Sequence, residues 1–126
     1  LQDIVNGVSK FGEGSKFHIL LPLERDETII SYQDVAKKVT DMGFVRFQIG
    51  DTTYSVADES NELLTPEDIV YVVVDRLVRK EDENFVLRLK DSLRVAIDKG
   101  DGFVSIYQLD SGEYIHFTFH ASCSKC

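Results

Sequence analysis

The run His116-Phe-Thr-Phe-His120-Ala-Ser-Cys123-Ser-Lys-Cys126 gathers imidazoles and thiols, the side chains that a borderline-soft cation such as zinc prefers. Spacing separates them into two kinds. On a strand rising about 3.3 Å per residue, His116 and His120 stand roughly 13 Å apart. Two ligands each about 2.1 Å from one zinc lie within about 4 Å of each other. The histidines are therefore expected as exposed polar residues opposite Ile115, Phe117 and Phe119. Cys123-x-x-Cys126 has instead the spacing of one knuckle of a four-cysteine zinc site, which makes it a metal half-site whose other two ligands must come from elsewhere. The rivals are a redox pair, which thioredoxin-like chemistry places between a strand and a helix, and a small metal-dependent enzyme using both histidines and both cysteines.

Other chemistry finds little support. The chain has no G-x-S-x-G elbow, P-loop or G-x-G-x-x-G. Gly12-Glu-Gly14-Ser-Lys16 leads into alternating apolar residues rather than a helix, so it reads as a turn and not a phosphate cradle. The carboxylates sit in polar turns or on helix surfaces, where nothing raises a pKa for acid catalysis. No catalytic residue is expected. What stands out is charge inside strands. Arg46 projects with Gln48 from the face opposite Val45, Phe47 and Ile49, and Asp75-Arg76 follows a valine run, Arg76 sharing a face with Val74 and Val78. Charge among valines asks for a partner. That partner is either an acidic group of the same chain or the carboxylates of another protein, to which planar guanidiniums make bidentate bonds. Arg46, Arg76, Asp75 and Gln48 are the candidate partner-binding residues.

The elements that must position these groups are legible. The 126 residues, 43% hydrophobic and 29% charged, suit one soluble domain that needs no disulfide staples. There is no spanning run and no signal peptide, so a cytoplasmic protein without membrane contact is expected. The net charge of -8 works against free-standing nucleic-acid binding. The one locally basic stretch, Arg76 to Lys99, reads as a mixed solvated helix face, with DNA contact through it as the alternative. Leu1, Ile4, Val5 and Val8 recur at helical spacing, and 16–23 alternates as a strand. Ser31 caps a helix stopped by Gly43; 44–49 and 52–56 form a hairpin about Gly50-Asp51; 57–68 is a polar connection. Ile69 to Val78 is a central strand, 84–99 an amphipathic helix, and 103–109 pairs with 113–119 across Asp110-Ser111-Gly112. The expected architecture is α+β, helices packed on a largely antiparallel sheet. The chain opens without Met and stops inside an unfinished motif, so it reads as a piece of a longer protein: a domain over 1–122, then the first cysteine pair of a zinc module at 123–126.

Gly43-Phe-Val-Arg46-Phe-Gln-Ile49-Gly-Asp, Val72-Val-Val-Asp75-Arg76-Leu-Val78 with Leu89-Lys-Asp-Ser-Leu93, and Gly102-Phe-Val104 leading to Phe119-His-Ala-Ser-Cys123-x-x-Cys126 resemble the UvrA proteins of the UvrABC excinuclease across essentially the whole chain. The resemblance implies the module inserted before a zinc-binding cysteine pair in the first ATP-binding half, which docks the excinuclease component UvrB during nucleotide excision repair. It implies an adaptor rather than an enzyme. Arg46 and Arg76 then match positions facing acidic residues of UvrB, and this piece needs no cofactor of its own. Zinc, ATP hydrolysis of the ABC type, DNA contact through other domains and a homodimeric state would belong to the full-length parent.

Overall fold

The structure, a computed structural model, describes residues 2–119. Its elements run α1 (Gln2–Ser9), β1 (Lys16–Pro22), α2 (Tyr32–Asp41), β2 (Arg46–Ile49), β3 (Thr52–Ser55), β4 (Val70–Val78), α3 (Glu83–Lys99), β5 (Phe103–Gln108) and β6 (Glu113–Thr118). The fold is α+β. The strands follow the hydrogen-bonded order β3-β2-β4-β1-β5-β6, so the unbroken valine run of β4 lies in the middle, and Val70 to Val73 are all buried. The strand pairs are antiparallel, with Phe47 opposite Val72, Ile19 opposite Ile106 and Ile106 opposite Ile115. Two compact units divide the chain, Pro22–Val73 forming one and the residues on either side of it the other.

In the Pro22–Val73 unit, α2 starts where Ser31 and Asp34 cap each other. The Ser31 hydroxyl accepts from the Asp34 N–H at 3.2 Å, and the Asp34 carboxylate accepts from the Ser31 and Ile30 N–H groups at 3.1 Å. This reciprocal box satisfies donors that a helix start otherwise leaves open. Gly50, at φ +63, occupies the first position of the two-residue turn joining β2 to β3, as a type II′ hairpin requires. Tyr32 of α2 packs edge-on against Phe47 and Tyr54, with centroids 6.2 and 5.1 Å away. Burial, followed by a hydrogen bond with Tyr54, pushes the Tyr32 phenol up to about 12. The polar connection after β3 is tied down more than its composition suggests. Arg25 Nη1 donates to the Thr65 and Asp68 carbonyls, both at 2.8 Å, and Leu64 N–H donates to the Ile30 carbonyl at 2.8 Å.

In the other unit, α1 and α3 bury one side of the sheet. Ile4, Val5 and Val8 of α1 and Leu89, Leu93 and Ala96 of α3 meet Phe17, Ile19, Leu77, Val104 and Ile106. Each of the larger side chains among them, the valines, leucines, isoleucines and Phe17, contributes about 1.5–3 kcal/mol relative to exposure. Asp82 caps α3 by accepting from the Phe85 N–H at 2.7 Å. Phe85 stands edge-on to Phe17, which meets Phe11 in the same way.

Candidate functional site

The candidate residues separate into two that face outward and two that do not. Arg46 opens β2 opposite Ser55 and is half-buried, while Arg76 sits near the end of β4 and is exposed. Among the described residues neither guanidinium takes part in a hydrogen bond or ion pair. Their neighbours in the basic stretch are engaged internally: Arg88 with Asp75 at 2.8 Å, Arg94 with Asp91 at 3.1 Å, and Arg79 through Nη2 with the Ser9 carbonyl at 3.2 Å. Of the arginines between Arg76 and Lys99, those after Arg76 are thus all engaged within the chain.

Asp75 does not face a partner as expected. Its carboxylate turns toward α3, accepting from Arg88 Nε and Nη2 at 3.1 and 2.8 Å and from the Ser92 hydroxyl at 2.6 Å. It also accepts from the Arg76 backbone N–H at 2.8 Å. Successive strand residues project to opposite sides, so a carboxylate held on the α3 side leaves the Arg76 side chain on the other. Burial pushes the Asp75 carboxyl up, but its bonds to Arg88, Ser92 and the Arg76 N–H outweigh that, and the net shift is downward. The same contact pushes the Arg88 guanidinium up. Because the folded value is depressed, the stabilisation is present above the ordinary aspartate value and is lost as pH falls through the folded one. Asp75→Asn is expected to cost about 1–2 kcal/mol at pH 7, modest because Arg88 is solvent-exposed. Thermal melts should show the gap to the unmodified chain narrowing once pH drops below about 4.

Gln48 is the second correction. It has no exposed surface, lies between Thr53 and Tyr71 on the flanking strands, and donates from Nε2 to the Gly50 carbonyl at 3.1 Å. A side chain paired inside the sheet offers nothing to a partner. His116 is exposed, and it is more engaged than a solvated residue. Its Nδ1 shares a 2.7 Å hydrogen bond with the Ser105 hydroxyl, and its ring stacks on Tyr114. Ser105 is buried, so this serine-histidine pair presents no nucleophile to a substrate. His120, Cys123 and Cys126 lie outside the described residues. Among the described residues no cluster of three or more His, Cys, Asp or Glu side chains could hold a metal, and no helix is long and apolar enough to cross a membrane.

Comparison with known proteins gives a consistent assignment. A family described as the UvrA interaction domain matches residues 1–110. The chain is 32% identical over 121 residues, 95% of its length, to UvrABC system protein A of Methanothermobacter thermautotrophicus, of which it covers 12%. It is 30% identical over all 126 residues to the protein of that name from Streptococcus pneumoniae, and 29% identical over 124 residues to that of Mycoplasmopsis pulmonis, covering 13% of each. The chain thus spans about one eighth of the length of these relatives. With the family matched across most of its residues, and with the VVVDR strand and DSL helix joined through Asp75, Arg88 and Ser92, this chain belongs to the UvrA interaction domain family of the UvrABC DNA-repair system.

Proposed function

We propose that this chain is a non-catalytic docking module that binds UvrB, a second protein of the UvrABC system, through Arg46 and Arg76. The observation carrying the reading is that both guanidiniums lack an internal partner among the described residues, in a chain whose net charge is -8. With 22 carboxylates on the same molecule, two strand arginines left without one are suited to carboxylates brought by another protein. ATP hydrolysis, DNA contact and dimerisation fall to other parts of the parent. Cys123 and Cys126 would supply two thiolate ligands to a zinc completed by residues elsewhere, and zinc there would have a structural role.

Titration of UvrB into the full chain at rising salt tests the proposal. A charge-paired contact loses affinity as the Debye length shrinks, so raising salt from about 50 to 300 mM should weaken binding by roughly tenfold. Salt-independent binding argues for an apolar contact and against the arginines. A gel shift with duplex DNA at the lower salt should show no retarded band, since a net anion gains little from phosphate contacts; a retarded band favours the DNA-contacting alternative.

A further inference from the structure

We infer that Asp75, clamped by Arg88 and Ser92, is a positioning residue that aims Arg76 at UvrB by fixing a β-bulge in β4, an inference that rests on the docking reading above and deepens it. The ladder between β1 and β4 is uneven. At one end the Leu23 N–H donates to the Val70 carbonyl at 2.9 Å, and at the other the Arg79 N–H donates to the Ser15 carbonyl at 2.8 Å. Arg79 lies nine residues beyond Val70, whereas Leu23 lies only eight beyond Ser15, so β4 carries one residue more than the strand beside it. Side-chain direction places the extra residue. Successive side chains of an unbroken strand face opposite sides. Val74, however, packs against the core beneath α3, and Asp75 next to it accepts from Ser92 of α3. These two consecutive residues share a side, as the pair in a bulge does. Leu77 returns to the same core, so alternation resumes after Asp75 and turns Arg76 away from α3.

A bulge disrupts the ladder locally and leaves backbone groups to be satisfied by other means. Asp75 does this for Arg76. Arg79 turns its N–H to β1 and Leu77 does so by alternation, so the Arg76 N–H points to the opposite edge of β4. Among the described residues β2 pairs with β4 along that edge at Val70, Tyr71 and Val72, short of Arg76. The Asp75 carboxylate accepts the Arg76 N–H at 2.8 Å in place of a strand. The same carboxylate is gripped by Arg88 through Nε and Nη2 and by the Ser92 hydroxyl, which stand one turn apart on α3 and so reach one group together. A single side chain thus ties the helix to the backbone of the residue whose guanidinium has no partner among the described residues. Bidentate pairing of a guanidinium with a carboxylate is directional, and an arginine carried on a fixed backbone gives up less freedom on docking than one on a loose strand. The pair of Arg94 with Asp91 at 3.1 Å is the contrast: it lies within α3 and holds no strand.

Mutant cycles in the full chain, with UvrB affinity and melting temperature measured on each variant, test the positioning role. Asp75→Asn and, separately, Ser92→Ala should weaken UvrB binding by about threefold to tenfold, the cost of ordering one long side chain on docking. In an Arg76→Ala background the same two changes should leave affinity within about twofold and still lower the melting temperature, because a residue that acts through Arg76 then has nothing left to position. In an Arg46→Ala background their effect on affinity should persist in full. Asp91→Asn, which breaks an exposed pair on the same helix, should leave affinity within about twofold. Unchanged affinity in both Asp75→Asn and Ser92→Ala, with binding still weakened by Arg76→Ala, would overturn the positioning role and leave the docking reading standing. An equal loss of affinity with and without Arg76 would overturn it as well, since Asp75 would then act on the fold or the partner directly. UvrB binding that survives Arg46→Glu with Arg76→Glu overturns the docking reading itself.

Discussion

Arg46→Glu combined with Arg76→Glu should abolish measurable binding of UvrB while leaving the melting temperature within a few degrees of the unmodified chain. The two halves of this expectation have different physical origins. Neither guanidinium has an internal hydrogen bond or ion pair among the described residues, so reversing its charge breaks no such bond. Surface changes away from buried networks stay within about 0.5 kcal/mol. At an interface the same change converts attraction into repulsion. Close charge pairs between proteins couple by about 1.5 kcal/mol or more, so losing two costs at least about 3 kcal/mol, a fall of more than about 100-fold in affinity. Calorimetric titration and a thermal melt on the same sample separate the effects. Arg88→Glu is the instructive contrast, because Arg88 holds Asp75. That variant should lower the melting temperature first and affect docking only through the strand it anchors. A double arginine variant that binds normally would remove both residues from the interface.

Much of the scaffold behind this surface was readable from local chemistry. Ser31, Asp34 and Gly43 bounded α2; Gly50 and Gly112 marked the hairpins; the valine run identified the central strand. All of these signals act within a few residues. Strand alternation likewise placed Arg76 opposite Asp75. What escaped the sequence depends on pairing over distance. Asp75 read as a residue for binding another protein because its ligands, Arg88 and Ser92, are 13 and 17 residues away on a helix whose rotation had to be known first. Gln48 looked exposed because it alternates with Arg46 on the face opposite Val45, Phe47 and Ile49, whereas β4 and β3 flank β2 on both sides and leave it no exposed surface. Arg25 gave no signal at all. Its carbonyl acceptors lie 40 and 43 residues on, in a segment whose composition reads as a plain loop.

Gly102→Ala is expected to be the most destabilising single-methyl change in the described part of the molecule, and its effect depends on where α3 hands the chain to β5. Gly102 stands at φ +89, its N–H donates to the Ile97 carbonyl at 2.9 Å, and its own carbonyl accepts from the Phe119 N–H at 2.6 Å. A Cβ built there falls on the carbonyl oxygen of Phe119, which is backbone and cannot swing aside as a long side chain would. Two costs then add: about 1–2 kcal/mol for an L-residue at positive φ, and about 1–3 kcal/mol for displacing packed structure. The sum, about 3 kcal/mol or more, should lower the melting temperature by roughly 10 °C in a chain of this length. Gly43→Ala is the matched control. Gly43 has nearly the same φ, +92, but nothing lies within 4 Å of its added Cβ, so only the backbone cost of about 1–2 kcal/mol applies. The difference between the two melts measures the close approach alone. Equal losses would mean that Phe119 does not sit over Gly102.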